Sequence, residues 1–220
     1  MIKNFNINKN STQSGRSMIE MLGVLAIVGV LSVGGIAGYS KAMTKFKINK
    51  IIDQVTHIAT NTRTLYAQQT TYYGLKVTNA IQMGIIPTDL GTEISSNEYD
   101  SKLRNPFNGS VYVSGYWGDK SFIITYQGIP KEACIALATY DWGSNYSSGL
   151  VALSISDAEW DISGPINSMT ETVGCESDAG DYRYVACPGD ANNPTPISVA
   201  TAAQKCDCED SSCSIGWKFQ

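Results

Sequence analysis

The residues of this chain able to do chemistry fall into three groups: six cysteines, scattered carboxylates with a single histidine, and one glutamate inside an apolar run. The cysteines stand at 134, 175, 187, 206, 208 and 213. As disulfides they point to an oxidising compartment, and spacing alone leaves many pairings open. Cys206, Cys208 and Cys213 could instead offer thiolates to zinc. The Cys206-x-Cys208 spacing is tighter than the usual ligand gap, however, and an exported domain would oxidise them. The carboxylates Glu93, Glu98 and Asp100 lie in a mostly polar, loop-like stretch without the apolar surroundings that would raise a pKa for acid–base work. Asp178, Asp181 and Asp190 lack the alternating oxygen pattern of a calcium loop. His57 is the only histidine, which leaves no Cys–His pair and no Ser/His/Asp set that avoids it. A surface or boundary position suits it better than a metal or catalytic role. No cofactor is expected.

Glu20 is the only ionisable residue between Met18 and Ile36. Those nineteen positions would form a helix of roughly 28 Å, long enough to cross a bilayer core. A carboxylate at mid-membrane costs about 2.5–3.5 kcal/mol, less near a helix end, so Glu20 calls for a partner. The run also carries glycines at 23, 29, 34, 35 and 38, which would allow close helix packing or local stretching. Beyond it, Ile48, Ile51, Ile52, Val55, Ile58, Ala59, Leu65 and Tyr66 recur at three- and four-residue spacing and lay down an apolar stripe. No proline interrupts the chain before Pro87, so one helix can run from about Ser17 to Gln69. A secretory signal or a plain membrane anchor would explain the apolar run but not the placing of Glu20. Lys41, Lys45, Lys47 and Lys50 after the apolar run outnumber Lys3, Lys9 and Arg16 before it, which by the positive-inside bias favours a cytoplasmic C-terminal side. The downstream cysteines outweigh that bias.

With 16% charged residues and a net charge of −4, nothing suggests nucleic-acid binding. The remainder reads as a turn-rich domain. A short helix is expected over Thr78–Met83, stopped by Gly84 and Pro87. Loops lead to Asn105–Gly109, then strands over Ser110–Tyr116 and Ser121–Gln127 flank a turn at Gly118–Lys120. Ile129–Ala138 reads as a helix with Pro130 in its first turn, placing Cys134, Leu137 and Ala138 on one face. Strands are expected over Gly149–Ile155, Tyr182–Ala186 and Ser214–Phe219, with a last helix over Thr195–Lys205.

Gly15-Arg16-Ser17-Met18-Ile19-Glu20, set before the apolar helix, resembles the type IV prepilin signal, although Arg16 stands where that family usually has a hydrophobic residue. The proline-led helix with a cysteine, the alanine-rich helix ending in another, and the terminal strand are similar to type IVb pilins, closest to the PilS-like subgroup. The resemblance implies an α+β fold, a long N-terminal α-helix packed on an antiparallel β-sheet head. It divides the chain into a leader (1–15), a hydrophobic polymerisation helix (16–38), the amphipathic half of that helix (39–73) and a disulfide-braced head (74–220). It implies a non-enzymatic pilus subunit cut by a prepilin peptidase after Gly15 and methylated on Arg16. Glu20 would pair with the Arg16 amine of a neighbour. The partners implied are further copies in a helical filament, the peptidase, and an assembly platform in the inner membrane of a Gram-negative-type bacterium. The subunit would wait in that membrane before becoming part of an extracellular pilus, whose head carries adhesion or aggregation. Cys134 would pair with Cys206, Cys175 with Cys187 and Cys208 with Cys213, with Cys206 and Cys208 interchangeable by sequence. The alternatives are a minor pilin or pseudopilin of a type II secretion system, and a membrane-anchored periplasmic binding protein or enzyme.

Overall fold

A computed structural model describes residues 18–95, 101–115, 120–143, 148–157, 182–208 and 212–220. Helix α1 runs unbroken over Met18–Tyr66. By contact density, residues 1–43 form one unit and residues 44–220 another. In the second unit the apolar stripe of α1 does what its period requires. Ile48, Ile51, Val55, Ile58 and Ala59 are buried, while Asp53, His57 and Thr60 on the opposite side are exposed; Leu65, expected on the stripe, is exposed near the end of the helix, and Thr62 is buried instead.

The helix ends at Tyr66, three residues before the expected Gln69. The chain turns there because its aromatic residues have a better place to go. Tyr72 packs between Tyr66 and Phe122, with ring centroids 5.3 and 4.7 Å away, and Leu75 is fully buried. Helix α2 follows over Val77–Gln82, one residue earlier than expected, with Gly84 beyond it at φ +71°. A 3-10 turn over Thr88–Leu90 gave no signal in the sequence; it sets Leu90 in the core.

Strands β1 (Val111–Gly115), β2 (Phe122–Pro130), β3 (Leu150–Ser156), β4 (Tyr182–Ala186) and β5 (Ser212–Phe219) form one sheet in the order β1-β2-β5-β3-β4, with every neighbouring pair antiparallel. The C-terminal strand β5 therefore lies at the centre. One row of paired residues crosses all five strands: Val113, Ile124, Trp217, Leu153 and Ala186. All five are buried and share a core with the α1 stripe. Trp217 meets the rings of Tyr126 and Trp142 at 5.8 and 5.0 Å, edge to face. The opposite face of the sheet is buried as well, although it carries Thr125, Ser154, Ser156, Ser214 and Lys218.

The bounds of β1, β3 and β5 differ from expectation by one or two residues, and two further boundaries differ by three or more. β2 continues through a bulge to Pro130, whose extended backbone (φ −67°, ψ 152°) caps α3 (Lys131–Ala138) from outside the helix. The last helix, α4, spans only Val199–Lys205. Before it, the Ile197 N–H donates to Ala138 O, and Ser198 Oγ accepts from the Thr201 N–H at 3.2 Å as the N-cap. The turn expected at Gly118–Lys120 lies outside the described residues except for Lys120, and Tyr116, Glu98 and Asp100 lie outside them too.

Candidate assembly surface

From Met18 to Ala42 every residue of α1 is exposed. Thirteen large apolar side chains stand in this stretch, among them Ile19 at 76%, Val30 at 75% and Ile36 at 71% exposure. An apolar helix exposed all round has no counterpart in a water-soluble monomer, where large apolar patches are covered. It needs lipid or other helices on every side. The length and apolar character of α1 are sufficient to cross a membrane.

Glu20 sits in the first turn of the helix, where the macrodipole favours a negative charge. Gly23, Gly29, Gly34, Gly35 and Gly38 leave notches in this surface, since an added Cβ at any of them would meet nothing within 4 Å. Such notches let a second helix approach closely. The helix is continuous through Gly34 and Gly35, so the stretching that these glycines permit is not present in the isolated chain. Gly15 and Arg16, the expected cleavage and methylation positions, lie outside the described residues.

A polar network fastens the second half of α1 to the head. Gln54, 4% exposed, donates from Nε2 to Asp89 Oδ2 at 2.9 Å and accepts at Oε1 from the Tyr126 hydroxyl at 3.3 Å. Lys50 completes it with an ion pair to Asp89 at 3.0 Å. Burial tends to raise the Asp89 pKa, but the hydrogen bonds from Lys50 and Gln54 outweigh it and hold the carboxyl below its ordinary range. Burial, and then the charge of Asp89, pushes the Tyr126 phenol well above its ordinary value, which keeps it a donor. Farther along, Arg63 donates from Nε to Gln220 O at 2.8 Å and from Nη2 to Ser148 O, with its guanidinium 5.6 Å over the Phe219 ring. Desolvation lowers the Arg63 pKa, and the nearby Tyr72 opposes that.

Two disulfides brace the head. Cys134 of α3 is joined to Cys206, the C-cap of α4, across 72 residues. Cys208 is joined to Cys213 of β5. The choice between Cys206 and Cys208 follows from helix geometry: Ala202 and Cys206 are four residues apart on the buried face of α4, opposite Cys134 on the buried face of α3. Cys187 is also disulfide-bonded, while Cys175, Asp178 and Asp181 lie outside the described residues. With these bonds made, Cys206, Cys208 and Cys213 present no thiolate to a metal. His57 is exposed on α1 and pairs with the Asn61 amide at 3.2 Å. Glu93 is exposed, and Asp190 accepts from the backbone N–H groups of Asn192 and Asn193 in a local turn. Sequence reasoning missed the tether made by Gln54, Asp89 and Tyr126. A glutamine placed among Ile51, Val55 and Ile58 was its one visible signal.

The chain is 28% identical over 135 residues to the major structural subunit of the bundle-forming pilus of Escherichia coli O127:H6 (strain E2348/69), a match covering 60% of this chain and 67% of that protein. The same protein of Escherichia coli O111:H- matches to the same extent. Among solved structures, a type IV pilin from Vibrio cholerae El Tor biotype is similar at 16% identity, covering 79% of this chain and 99% of that one, with a TM-score of 0.48. A type IV b pilin from Salmonella typhi is similar at 16% identity, covering 76% and 95%, with a TM-score of 0.42. The family model described as bundlin matches residues 40–187, well over half of the 220 residues, and the chain belongs to that family.

Proposed function

We propose that this chain is a structural subunit of a type IV pilus of the type IVb kind, polymerised through the first half of α1. The observation that carries the reading is the helix surface from Met18 to Ala42, apolar and exposed on every side. In water, full burial of each Leu, Ile, Val or Met in it is worth about 1.5–3 kcal/mol, so an assembled subunit has no route back to free solution. Relative to lipid, the same burial gains little, because acyl chains are as apolar as leucine. What favours a neighbouring helix over lipid is the polar pair. A prepilin peptidase cuts after Gly15, and the new Arg16 amine, once methylated, stays cationic. Glu20 of one subunit meets that amine on the next, which relieves the cost of a carboxylate in the membrane and fixes the axial register. The subunit waits in the inner membrane until an assembly platform draws it into an extracellular filament. The role is structural and not enzymatic.

Glu20→Ala tests this mechanism. The variant should still be cut and remain in the membrane fraction, but the sheared surface fraction should lose its filaments. Filaments at the normal level would show that the Glu20 pair does not drive assembly.

A further inference from the structure

On the head, the sheet carries an open groove of about 440 Å³ lined by Arg104, Asn108, Gly109, Ser110, Tyr112, Gln127 and Gly128. Two of its lining residues, Gly109 and Gly128, meet backbone to backbone. A Cβ on Gly109 would overlap Gln127 O, and one on Gly128 would stand 2.9 Å from the Gly109 Cα. The two glycines thus let the Asn105–Gly109 turn rest directly on the β2 bulge. Asn105, 4% exposed, rivets that contact: its Nδ2 donates to Gln127 O at 2.7 Å, and its Oδ1 accepts from the Phe107 and Gly109 N–H groups. The site is therefore formed before any ligand arrives, which removes an ordering cost from binding.

Arg104 supplies the chemistry. Its Nη1 is engaged by Ser101 O at 2.7 Å, Leu103 O at 2.9 Å and Ser110 Oγ at 3.2 Å. No hydrogen bond among the described residues uses Nε or Nη2, and the side chain is exposed. One end of the guanidinium is thus clamped, while among the described residues the Nε–Nη2 edge is left as a planar fork that matches a carboxylate. The volume is far larger than a lone carboxylate needs and falls within the range of small-ligand sites. The same groove is lined by the half-buried Tyr112 and the exposed Asn108, whose backbone is held at φ +71°. These are partners for the face and hydroxyl groups of a sugar.

We propose that this groove binds an acidic monosaccharide, its carboxylate on the Nε–Nη2 edge of Arg104 and its ring against Tyr112. The test reads ligand binding by the unassembled chain, so its failure would leave the pilus reading untouched. The experiment is saturation-transfer NMR with isothermal titration on the full chain in detergent, using N-acetylneuraminic acid and glucuronic acid as probes. The methyl ester of glucuronic acid and acetate serve as controls. At least one of the two acids should bind in the millimolar range, and the ester and acetate should bind at least about tenfold more weakly. Arg104→Lys keeps the charge, loses the fork, and should weaken the acid at least about tenfold. Because Arg104 also holds its loop, Asn108→Gly provides a second variant; glycine accepts the φ there, so the fold persists while affinity falls about threefold or more. Silence from both acids at about 20 mM would overturn the proposal. So would equal binding of the ester or of acetate, or full affinity in both variants.

Discussion

The tether from Gln54 to Tyr126 makes a quantitative claim about how α1 is held to the head. Tyr126 is fully buried, and its hydroxyl is bonded to Gln54 Oε1 at 3.3 Å. Gln54→Leu fills the space with carbon and strands that hydroxyl in a dry interior, which costs about 2 kcal/mol. Tyr126→Phe leaves the Gln54 oxygen unmatched and costs about 1 kcal/mol. The double variant removes both ends of the Gln54–Tyr126 bond but still takes the Gln54 donor from Asp89, so its loss should stay near that of Gln54→Leu alone, about 2 kcal/mol, and the two single losses should not add. In a head of this size each kcal/mol moves the melting temperature by about 2–4 °C, so Gln54→Leu should melt about 4–8 °C lower. The assay is thermal unfolding of the full chain in detergent, followed by tryptophan fluorescence. Trp217, with its ring centroid 5.8 Å from that of Tyr126, reports on this part of the core. Additive losses in the double variant would refute the claim that the two groups serve each other, and leave the hydroxyl as a passenger.

Three further outcomes follow from the same geometry. Replacing both Cys134 and Cys206 by serine releases a 72-residue loop and should cost about 4 kcal/mol in the chain-entropy account, read as a fall of about 8–16 °C in the melting scan. Asp89 has a folded pKa below its unfolded one, so its contribution to stability is present above the ordinary carboxylate pKa near 4 and is lost as pH falls through the folded value; Asp89→Asn should flatten the acid limb of a stability–pH curve while leaving the neutral-to-basic limb unchanged in shape. At Gly149, φ is +67° and a Cβ would collide with the Arg63 guanidinium that grips the C-terminal strand, so Gly149→Ala should cost about 2 kcal/mol or more in urea unfolding.

Much of this architecture was legible because long periodic signals survive in a single sequence. The stripe from Ile48 to Ala59 and the apolar run after Glu20 each announce one helix with two characters, and the structure supplies both. Strand segments were legible from alternation, but their order was not: the burial of β5 at the centre depends on pairings between distant segments, such as Trp217 with Ile124 and Leu153. Boundaries shifted where tertiary contacts overrode local preference. The pull of Tyr72 into the core ends α1 early, and the bond from Ile197 to Ala138 delays α4. The groove over Gly109 and Gly128 was invisible, because nothing in a local pattern tells that two glycines will touch.

The central claim, that the chain polymerises through α1 after its leader is removed, is tested most directly by mass spectrometry of the N-terminal peptide from filaments sheared off the cell surface. The account predicts a peptide beginning at a methylated Arg16 in that fraction. An intact Met1, or a terminus near Ala37 with no protein in the sheared filaments, would contradict it.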